Sequence, residues 1–227
     1  MLDFLKYKKT NYVGGFAFFD EAQDRGIMYS AVPEFIAPRK IDSRDMCLIS
    51  SDQSTNPFCV GYATAGYLEI QGWAIRHYPK QCDADAIYNE AKKIDGHPEV
   101  KGTWLNSGVQ AAINLGYVMG NVTKVTLDRN SIKFAVHQYR ACIAAFMITN
   151  EWNQVDKSTG LIRNLGSNVN VMGGHAVLIC GYNDQGVFIQ NSWSPNYGIY
   201  GFVILPWELF DKQLRDAMII DVKSINY

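Results

Sequence analysis

The chain carries, at positions 174–193, the stretch GHAVLICGYNDQGVFIQNSW. Two runs of apolar, β-forming residues flank the turn signal Asn-Asp-Gln-Gly, so the stretch predicts a β-hairpin. His175 begins the first run and Asn191 directly follows the second, which predicts that their side chains lie side by side. An Asn carbonyl oxygen can bond one ring nitrogen and fix the orientation of an imidazole without adding charge. The hairpin thus predicts an oriented histidine, although a lone histidine on an apolar strand is usually a core residue.

A second segment, QSTNPFCVGYA at positions 53–63, predicts a cysteine in the first turn of a helix. Asn-Pro is a helix-start signal, and the small residues after Cys59 suit a helix that packs tightly inside a fold. Backbone N–H groups at a helix start, together with the helix dipole, favour a thiolate over a thiol. Taken alone, the segment fits a buried structural cysteine equally well. With His175 and Asn191 it predicts a nucleophile, a base and an orienting group.

The composition excludes several classes of protein. A hydrophobic fraction of 48% and a charged fraction of 19% exclude disorder and coiled coil, and 227 residues suffice for one large domain or two small halves. The net charge of −1 indicates neither a nucleic-acid partner nor a membrane partner. There is no apolar run of the ~20 residues that span a bilayer. There is also no C-x-x-C or H-E-x-x-H spacing, so we expect neither a metal nor another cofactor.

The order of the predicted elements favours an α+β fold. Apolar periodicity predicts three helices, at 60–73, 83–93 and 103–115. Four β-rich runs follow, at 142–148, 175–182, 186–193 and 200–206. Helices first and strands later predict two subdomains that face each other, a helical one at about 38–130 and a β-rich one at about 131–227. Residues 1–37, rich in Phe, Tyr and Gly, predict an extended N-terminal arm.

In their order and spacing these motifs resemble the papain-like cysteine peptidases, over most of residues 38–223. The segment PRKIDSR at 38–44 is similar to the mature amino terminus of that family, Pro-x-x-Val-Asp-Trp-Arg. Asn191 follows His175 by sixteen positions, in the family's contexts His-Ala-Val and Asn-Ser-Trp. The run YGIYGF at 197–202 resembles its Trp-Gly-x-x-Gly-Tyr. The resemblance implies a papain-like fold, with a helical and a barrel-like β-rich subdomain and the active-site cleft between them.

The resemblance also implies a role for each catalytic residue. Cys59 would attack the scissile carbonyl as a thiolate, with His175 as its imidazolium partner and later as proton donor to the leaving amine. Asn191 would orient the imidazole, and Trp193 would cover that hydrogen bond. Gln53 stands six positions before the cysteine, the spacing of the family's oxyanion glutamine. Its side-chain amide would bind the oxyanion together with the backbone N–H of Cys59.

Residues around the cysteine and the histidine depart from the family's pattern. Asn56 stands where the family has a disulfide-bonded cysteine, so that bridge cannot form. Val60 replaces the aromatic residue after the nucleophile, and Gly174 precedes the histidine where many relatives have Asp or Asn. Phe58 and Pro57 place bulk beside the groove where the family has Gly and Ser. We therefore expect Phe58 to contact the substrate and the substrate preference to differ from that of papain.

The family binds an extended peptide by backbone hydrogen bonds to a glycine-rich segment, a form of strand addition. Gly102 and Thr103 are the best match to that segment, and Gly96 is a weaker alternative. A loop glycine ahead of a helix is an equally good interpretation of Gly102. Ala176 is expected to line the pocket for the side chain two residues before the cut. The expected partner is therefore a peptide or protein substrate bound in extended form.

The N-terminal arm, residues 1–37, is too short to be the helical inhibitory prosegment of secreted relatives. It either lies across the groove and is removed near Pro38, or it is a permanent strap. In the first case the protein's own arm is a partner of the site. The absence of prosegment motifs favours the strap.

The sequence thus predicts a cysteine endopeptidase of the Cys-His-Asn type. Two alternatives remain open: an acyl-transferring transamidase or deamidase on the same fold, and a catalytically silent peptide-binding module. The five cysteines include an odd thiol, for which Cys59 is the candidate, and the apolar runs around Cys142 and Cys180 predict reduced thiols. Because residues 1–11 also do not resemble a signal peptide, we expect a cytoplasmic location.

Overall fold

The computed structural model describes residues 28–226, which form five α-helices and an eight-stranded sheet. The helices are α1 (Cys59–Arg76), α2 (Ala84–Asp95), α3 (Leu105–Asn114), α4 (Arg129–Tyr139) and α5 (Trp207–Gln213). The strands are β1 (Met28–Tyr29), β2 (Ile41–Asp42), β3 (Val118–Val125), β4 (Cys142–Thr149), β5 (Val171–Tyr182), β6 (Gly186–Gln190), β7 (Phe202–Pro206) and β8 (Leu214–Ile225). None of these five helices has both the length and the apolar character that crossing a membrane requires.

The central helix, α1, is buried along most of its length because its residues are apolar or small. Gly61 lies where α1 meets α2: a Cβ atom there would stand 2.2 Å from the carbonyl oxygen of Ala84, so only glycine permits this approach. A Cβ atom on Gly108 of α3 would likewise stand 2.3 Å from Cγ1 of Val60. The first turn of α1 is therefore packed tightly against α2 and α3, which fixes the position of Cys59.

The sheet has the order β1-β3-β8-β4-β5-β6-β7, and β2 pairs with the end of β5. The short strand β1 runs parallel to β3, and the other neighbouring pairs are antiparallel. Strands β4 and β5 are apolar over nearly their whole length and are correspondingly buried, with α1 packed against β5. Strands β5 and β6 form the predicted hairpin, in which Leu178 faces Gln190. The hairpin thus carries His175 on one strand and ends at Asn191, next to the central helix.

The main elements predicted from periodicity are confirmed. The three predicted helices correspond to α1, α2 and α3, and their ends differ from the prediction by at most three residues. Each of the four β-rich runs contains a strand, β4 to β7. The strand β5 begins at Val171, earlier than predicted, because the residues before His175 continue the pairing with β4. The α+β fold class is confirmed.

Sequence reasoning missed β3, α4, α5 and β8. The strand β3 lies within the stretch that was expected to be helical, 38–130, but it pairs with the C-terminal strand β8, with Thr123 facing Ile219. The first three helices therefore end before Val118, and α4 follows β3. Pairing of this kind depends on a distant partner, which a local pattern does not reveal.

Of the predicted N-terminal arm, residues 28–37 are described, and the remainder lies outside the described residues. Tyr29 belongs to β1 and stacks on Phe134 of α4, with the ring centroids 5.1 Å apart. Phe35 packs against the same ring at 4.8 Å. These contacts attach the described end of the arm to α4 and to the edge of the sheet.

Candidate active site

Cys59 is the first residue of α1 and its side chain is fully buried. The preceding loop turns tightly, since the backbone N–H of Asn56 donates to the carbonyl oxygen of Gln53 at 3.0 Å. The sulfur accepts a hydrogen bond from the backbone N–H of Ala176 at 3.4 Å. This bond places the Cys59 sulfur beside β5, at the residue that follows His175. The helix start provides the positive dipole end and the N–H groups that favour a thiolate.

His175 and Asn191 are paired, as the hairpin predicted. Nε2 of His175 lies 2.8 Å from Oδ1 of Asn191, and both residues are buried. Because a carboxamide oxygen can only accept, Nε2 carries the proton of this bond. Nδ1 is also buried, and no described group forms a hydrogen bond with it. Burial lowers the pKa of His175 from 6.5 to about 4, and the bond to Asn191 opposes that shift.

Two tryptophans bracket the imidazole. Trp193 stacks on His175, with centroids 4.7 Å apart and an interplanar angle of 23°. Trp152 approaches the imidazole edge-on, at 6.1 Å and 86°. Tyr197 packs edge-on against Trp193 at 5.0 Å and donates a hydrogen bond to the backbone oxygen of Trp152 at 2.7 Å. The sequence singled out Trp193 but missed Trp152, because no motif marks the short helix Asn150–Asn153 that carries it.

Gln53 is 2% exposed and is fixed through both ends of its amide. Its Oε1 accepts a hydrogen bond from the hydroxyl of Ser192 at 2.5 Å, and its Nε2 donates to the carbonyl oxygen of Asn56 at 2.8 Å. Its backbone N–H also donates to the carbonyl oxygen of Ser192, at 2.8 Å. The amide nitrogen has two hydrogens, so one remains after the bond to Asn56. Ser192, which sequence reasoning did not single out, thereby joins the loop before Cys59 to the end of the hairpin.

The expected substrate-binding residues fall into two groups. Ala176 is buried beside the Cys59 sulfur. Phe58, Gly102 and Thr103 instead lie around α2. The ring of Phe58 stacks on Tyr88 at 4.1 Å, and the hydroxyl of Tyr88 accepts a hydrogen bond from the N–H of Gly102 at 3.2 Å.

The backbone of Gly102 is occupied within the protein. Its carbonyl oxygen accepts a hydrogen bond from Nζ of Lys92 at 3.0 Å. Lys92 also pairs with Asp95 at 2.8 Å, and Asp95 accepts a hydrogen bond from the hydroxyl of Thr103 at 2.6 Å. Strand addition at Gly102 therefore requires an exchange of hydrogen-bond partners, and the substrate-binding role of Gly102 and Thr103 stays a prediction.

Two of the other cysteines lie in surroundings that disfavour a thiolate. The five cysteines, all within the described residues, form no disulfide. Burial raises the pKa of Cys142, which lies in the middle of the sheet, well above its ordinary value. A hydrogen bond with Cys180, together with burial, raises the pKa of the Cys47 thiol. These environments favour the unreactive thiol form.

A polar cavity of about 610 Å³ lies between α1, the hairpin and the loops that precede α1 and α2. Four acidic residues contribute to its lining, Asp52, Glu69, Asp83 and Asp85. Burial raises the pKa of Glu69 from 4.5 to about 7, against the effect of a hydrogen bond that its carboxylate accepts from the N–H of Cys82. Within residues 28–226, no three His, Cys, Asp or Glu side chains are grouped closely enough to bind a metal ion.

Comparison with solved structures identifies the fold, whereas no protein-family model and no curated protein matches the chain. Xylellain, a cysteine protease from Xylella fastidiosa, aligns with a TM-score of 0.80 at 18% identity, over 96% of this chain and 100% of its own. Procathepsin B S9 from Trypanosoma congolense aligns with a TM-score of 0.71 at 10% identity, over 92% of this chain and 87% of its own. Bromelain from Ananas comosus, in complex with the E64 inhibitor, aligns with a TM-score of 0.64 at 15% identity, over 82% of this chain and 100% of its own. The chain has the fold of the papain-like cysteine proteases.

Proposed function

We propose that this protein is a cysteine endopeptidase that hydrolyses peptide bonds through a thioester on Cys59. The observation that carries the proposal is the position of the Cys59 sulfur at the start of α1. There it accepts the N–H of Ala176, the residue next to a histidine whose ring is oriented by Asn191. In this proposal Cys59 is the nucleophile, His175 the base and Asn191 the orienting amide, the first from the start of α1 and the other two from the β5–β6 hairpin.

The first half of the proposed reaction begins with transfer of the Cys59 thiol proton to Nδ1 of His175. The resulting thiolate attacks the scissile carbonyl carbon, and the carbonyl electron pair moves to the oxygen. The remaining N–H of the Gln53 amide and the backbone N–H of Cys59 stabilise this oxyanion. The intermediate collapses with cleavage of the carbon–nitrogen bond. The leaving amine takes a proton from Nδ1 of His175, which leaves a thioester and a neutral imidazole.

In the second half, the neutral imidazole of His175 takes a proton from water, and the hydroxide attacks the thioester carbon. Cleavage of the carbon–sulfur bond releases the carboxylic acid and regenerates the thiolate beside a protonated imidazole. The net reaction is peptide plus water to acid plus amine. Every step uses groups of this chain, the substrate and water.

The substrate is proposed to be a peptide or protein in extended form, consistent with the inhibitor complex and the protease precursors among the structural neighbours. The protein's own N-terminal arm remains a candidate for such a segment. The polar and charged groups around Gly102, and the aromatic pair of Phe58 and Tyr88, are proposed to shape the adjoining part of the cleft.

The complete burial of Cys59 and His175 is the observation that favours the catalytically silent alternative, since a buried sulfur has to become accessible before it can react. Labelling with a thiol-reactive peptide epoxide, followed by peptide mapping, separates the hypotheses. We expect modification of Cys59 in the folded protein, or in a variant that lacks residues 1–27 but keeps the contacts of Tyr29 and Phe35. If Cys59 remains unmodified in both, the peptidase proposal is wrong.

Product analysis then distinguishes hydrolysis from acyl transfer. A peptide substrate is incubated with and without a primary amine at high concentration. We expect the free acid as the main product in both cases. Quantitative formation of the amide product would favour the transamidase alternative.

A further inference from the structure

A chain of buried hydrogen bonds runs from a carboxylate to the indole ring beside His175. Nε1 of Trp152 donates to Oε1 of Gln213 at 2.7 Å, and Nε2 of Gln213 donates to Oε2 of Glu151 at 2.9 Å. These three side chains are at most 4% exposed. Gln213 is the last residue of α5, so the chain connects this helix to the short helix that follows β4.

The hydrogen bonds around Glu151 determine which end of the Gln213 amide faces the indole. Its Oε2 also accepts a hydrogen bond from the hydroxyl of Thr149 at 2.8 Å, and its Oε1 accepts the backbone N–H of Leu165 at 3.0 Å. In the described part of the chain, no cation forms an ion pair with this carboxylate. Because Nε2 of Gln213 faces the oxygens of both Glu151 and Thr149, Oε1 must face the indole. All of these hydrogen bonds come from neutral donors, and the charge of Lys212, which also acts on Glu151, is paired with Glu208. A buried carboxylate held in this way is costly, so packing alone does not account for it.

The indole at the end of the chain limits how the imidazole can move. Trp152 lies edge-on to His175, while Trp193 covers a face of the same ring. The bond to Asn191 at Nε2 fixes one end of the imidazole. Its other nitrogen, Nδ1, is buried without a hydrogen-bond partner among the described residues and is the one that the proposed function assigns to Cys59. A tilt of the ring would move Nδ1 away from the sulfur. Trp152 opposes that tilt only as long as its own position is fixed.

We propose that Gln213 and Glu151 are positioning residues, which fix Trp152 and thereby keep the His175 ring directed at Cys59. The inference rests on the proposed function for its catalytic meaning. Its structural content, the immobilisation of the imidazole, can be measured without turnover.

The structural test is proton NMR of the His175 ring N–H that donates to Asn191. The variants are Gln213→Leu, which removes the acceptor, and Trp152→Phe, which removes the indole donor but keeps an aromatic ring. We expect exchange of this proton with solvent to accelerate about tenfold in both, the equivalent of one net hydrogen bond. Trp207→Phe is the matched control: its Nε1 donates to the backbone oxygen of Asn183 at 2.9 Å, and it starts the same helix that Gln213 ends. In this control the exchange rate should equal that of the wild type.

The kinetic test uses the same variants and a peptide substrate. We expect kcat to fall about tenfold, again the equivalent of one hydrogen bond, with KM changed less than twofold. The double variant Trp152→Phe with Gln213→Leu should be no slower than Trp152→Phe alone, because both changes break one connection.

An unchanged exchange rate in the two single variants would overturn the proposal, even if both lose stability. Additive losses of kcat in the double variant would overturn it as well. If Gln213→Leu does not fold, Trp152→Phe compared with Trp207→Phe decides the question. Absence of peptide hydrolysis by the wild type would contradict the proposed function, while the exchange measurement would still decide whether the network holds the ring.

Discussion

Replacing Gln53 by alanine isolates the proposed oxyanion contact. The amide nitrogen has one hydrogen left after its bond to Asn56, so the variant removes one donor from the site. Loss of such a donor typically costs about 10²–10³ in turnover, or about 2.7–4 kcal/mol of transition-state stabilisation. The variant also removes the partner of the buried Ser192 hydroxyl, which costs about 1–3 kcal/mol of stability. We therefore expect kcat to fall about 10²–10³-fold in a protein that still folds.

The assay compares two reactions of the same cysteine. Hydrolysis of a peptide amide develops an oxyanion, whereas alkylation by iodoacetamide does not. In Gln53→Ala we expect kcat to fall as stated, while the rate of Cys59 alkylation changes less than threefold. Gln110→Ala is the control, since the amide of this glutamine donates to the side chain of Asn114, one turn further along α3.

Two results would refute this reasoning. A fall in kcat of less than threefold would show that Gln53 does not bind the developing charge. An equal fall in hydrolysis and alkylation would show that it acts on the thiolate or on the fold instead.

Three further changes have calculable outcomes. Gly108→Ala places a Cβ atom 2.3 Å from Cγ1 of Val60, so we expect the free energy of unfolding in urea to fall by about 1–3 kcal/mol. Adding Val60→Ala to the same chain should restore part of this loss. No recovery would contradict the contact. The pKa of Glu69 rises on folding, so stability is lost as pH rises from 4.5 to about 7. Glu69→Gln should therefore stabilise the protein above pH 7, by on the order of 3 kcal/mol at most, but not at pH 4. An equal effect at both pH values would disprove this. In Cys59→Ala, which lacks the thiolate, burial should leave His175 titrating near 4, as measured by NMR. The fold should then lose stability as pH falls below 6.5. A titration midpoint of His175 near 6.5 would instead show a hydrated ring.

The placement of the residues that local sequence marks could be predicted. Cys59 follows a helix-start signal, and His175 and Asn191 stand at the ends of a hairpin, so residue type and spacing were sufficient to bring them together. Helix α1 and the hairpin strands β5 and β6, which position these residues, follow from local apolar patterns.

The residues that support the site could not be predicted, because their roles arise from contacts between distant segments. Trp152 has no motif, and its hydrogen bond goes to Gln213 in another helix. Ser192 looked like part of a tripeptide, and only the fold shows its bond to Gln53. The hydrogen bond between Gly102 and Tyr88 likewise depends on how α2 packs.

The central claim is that peptide hydrolysis passes through a thioester on Cys59, and trapping that intermediate tests it most directly. The enzyme is mixed with a peptide ester substrate, quenched in acid within the first turnover and mapped by mass spectrometry, with Cys59→Ser as the control. We expect the acyl mass on Cys59 only, not on the other four cysteines, and its removal by hydroxylamine. Product formation without an acyl group on Cys59, or acylation of another residue at the rate of turnover, would contradict the claim.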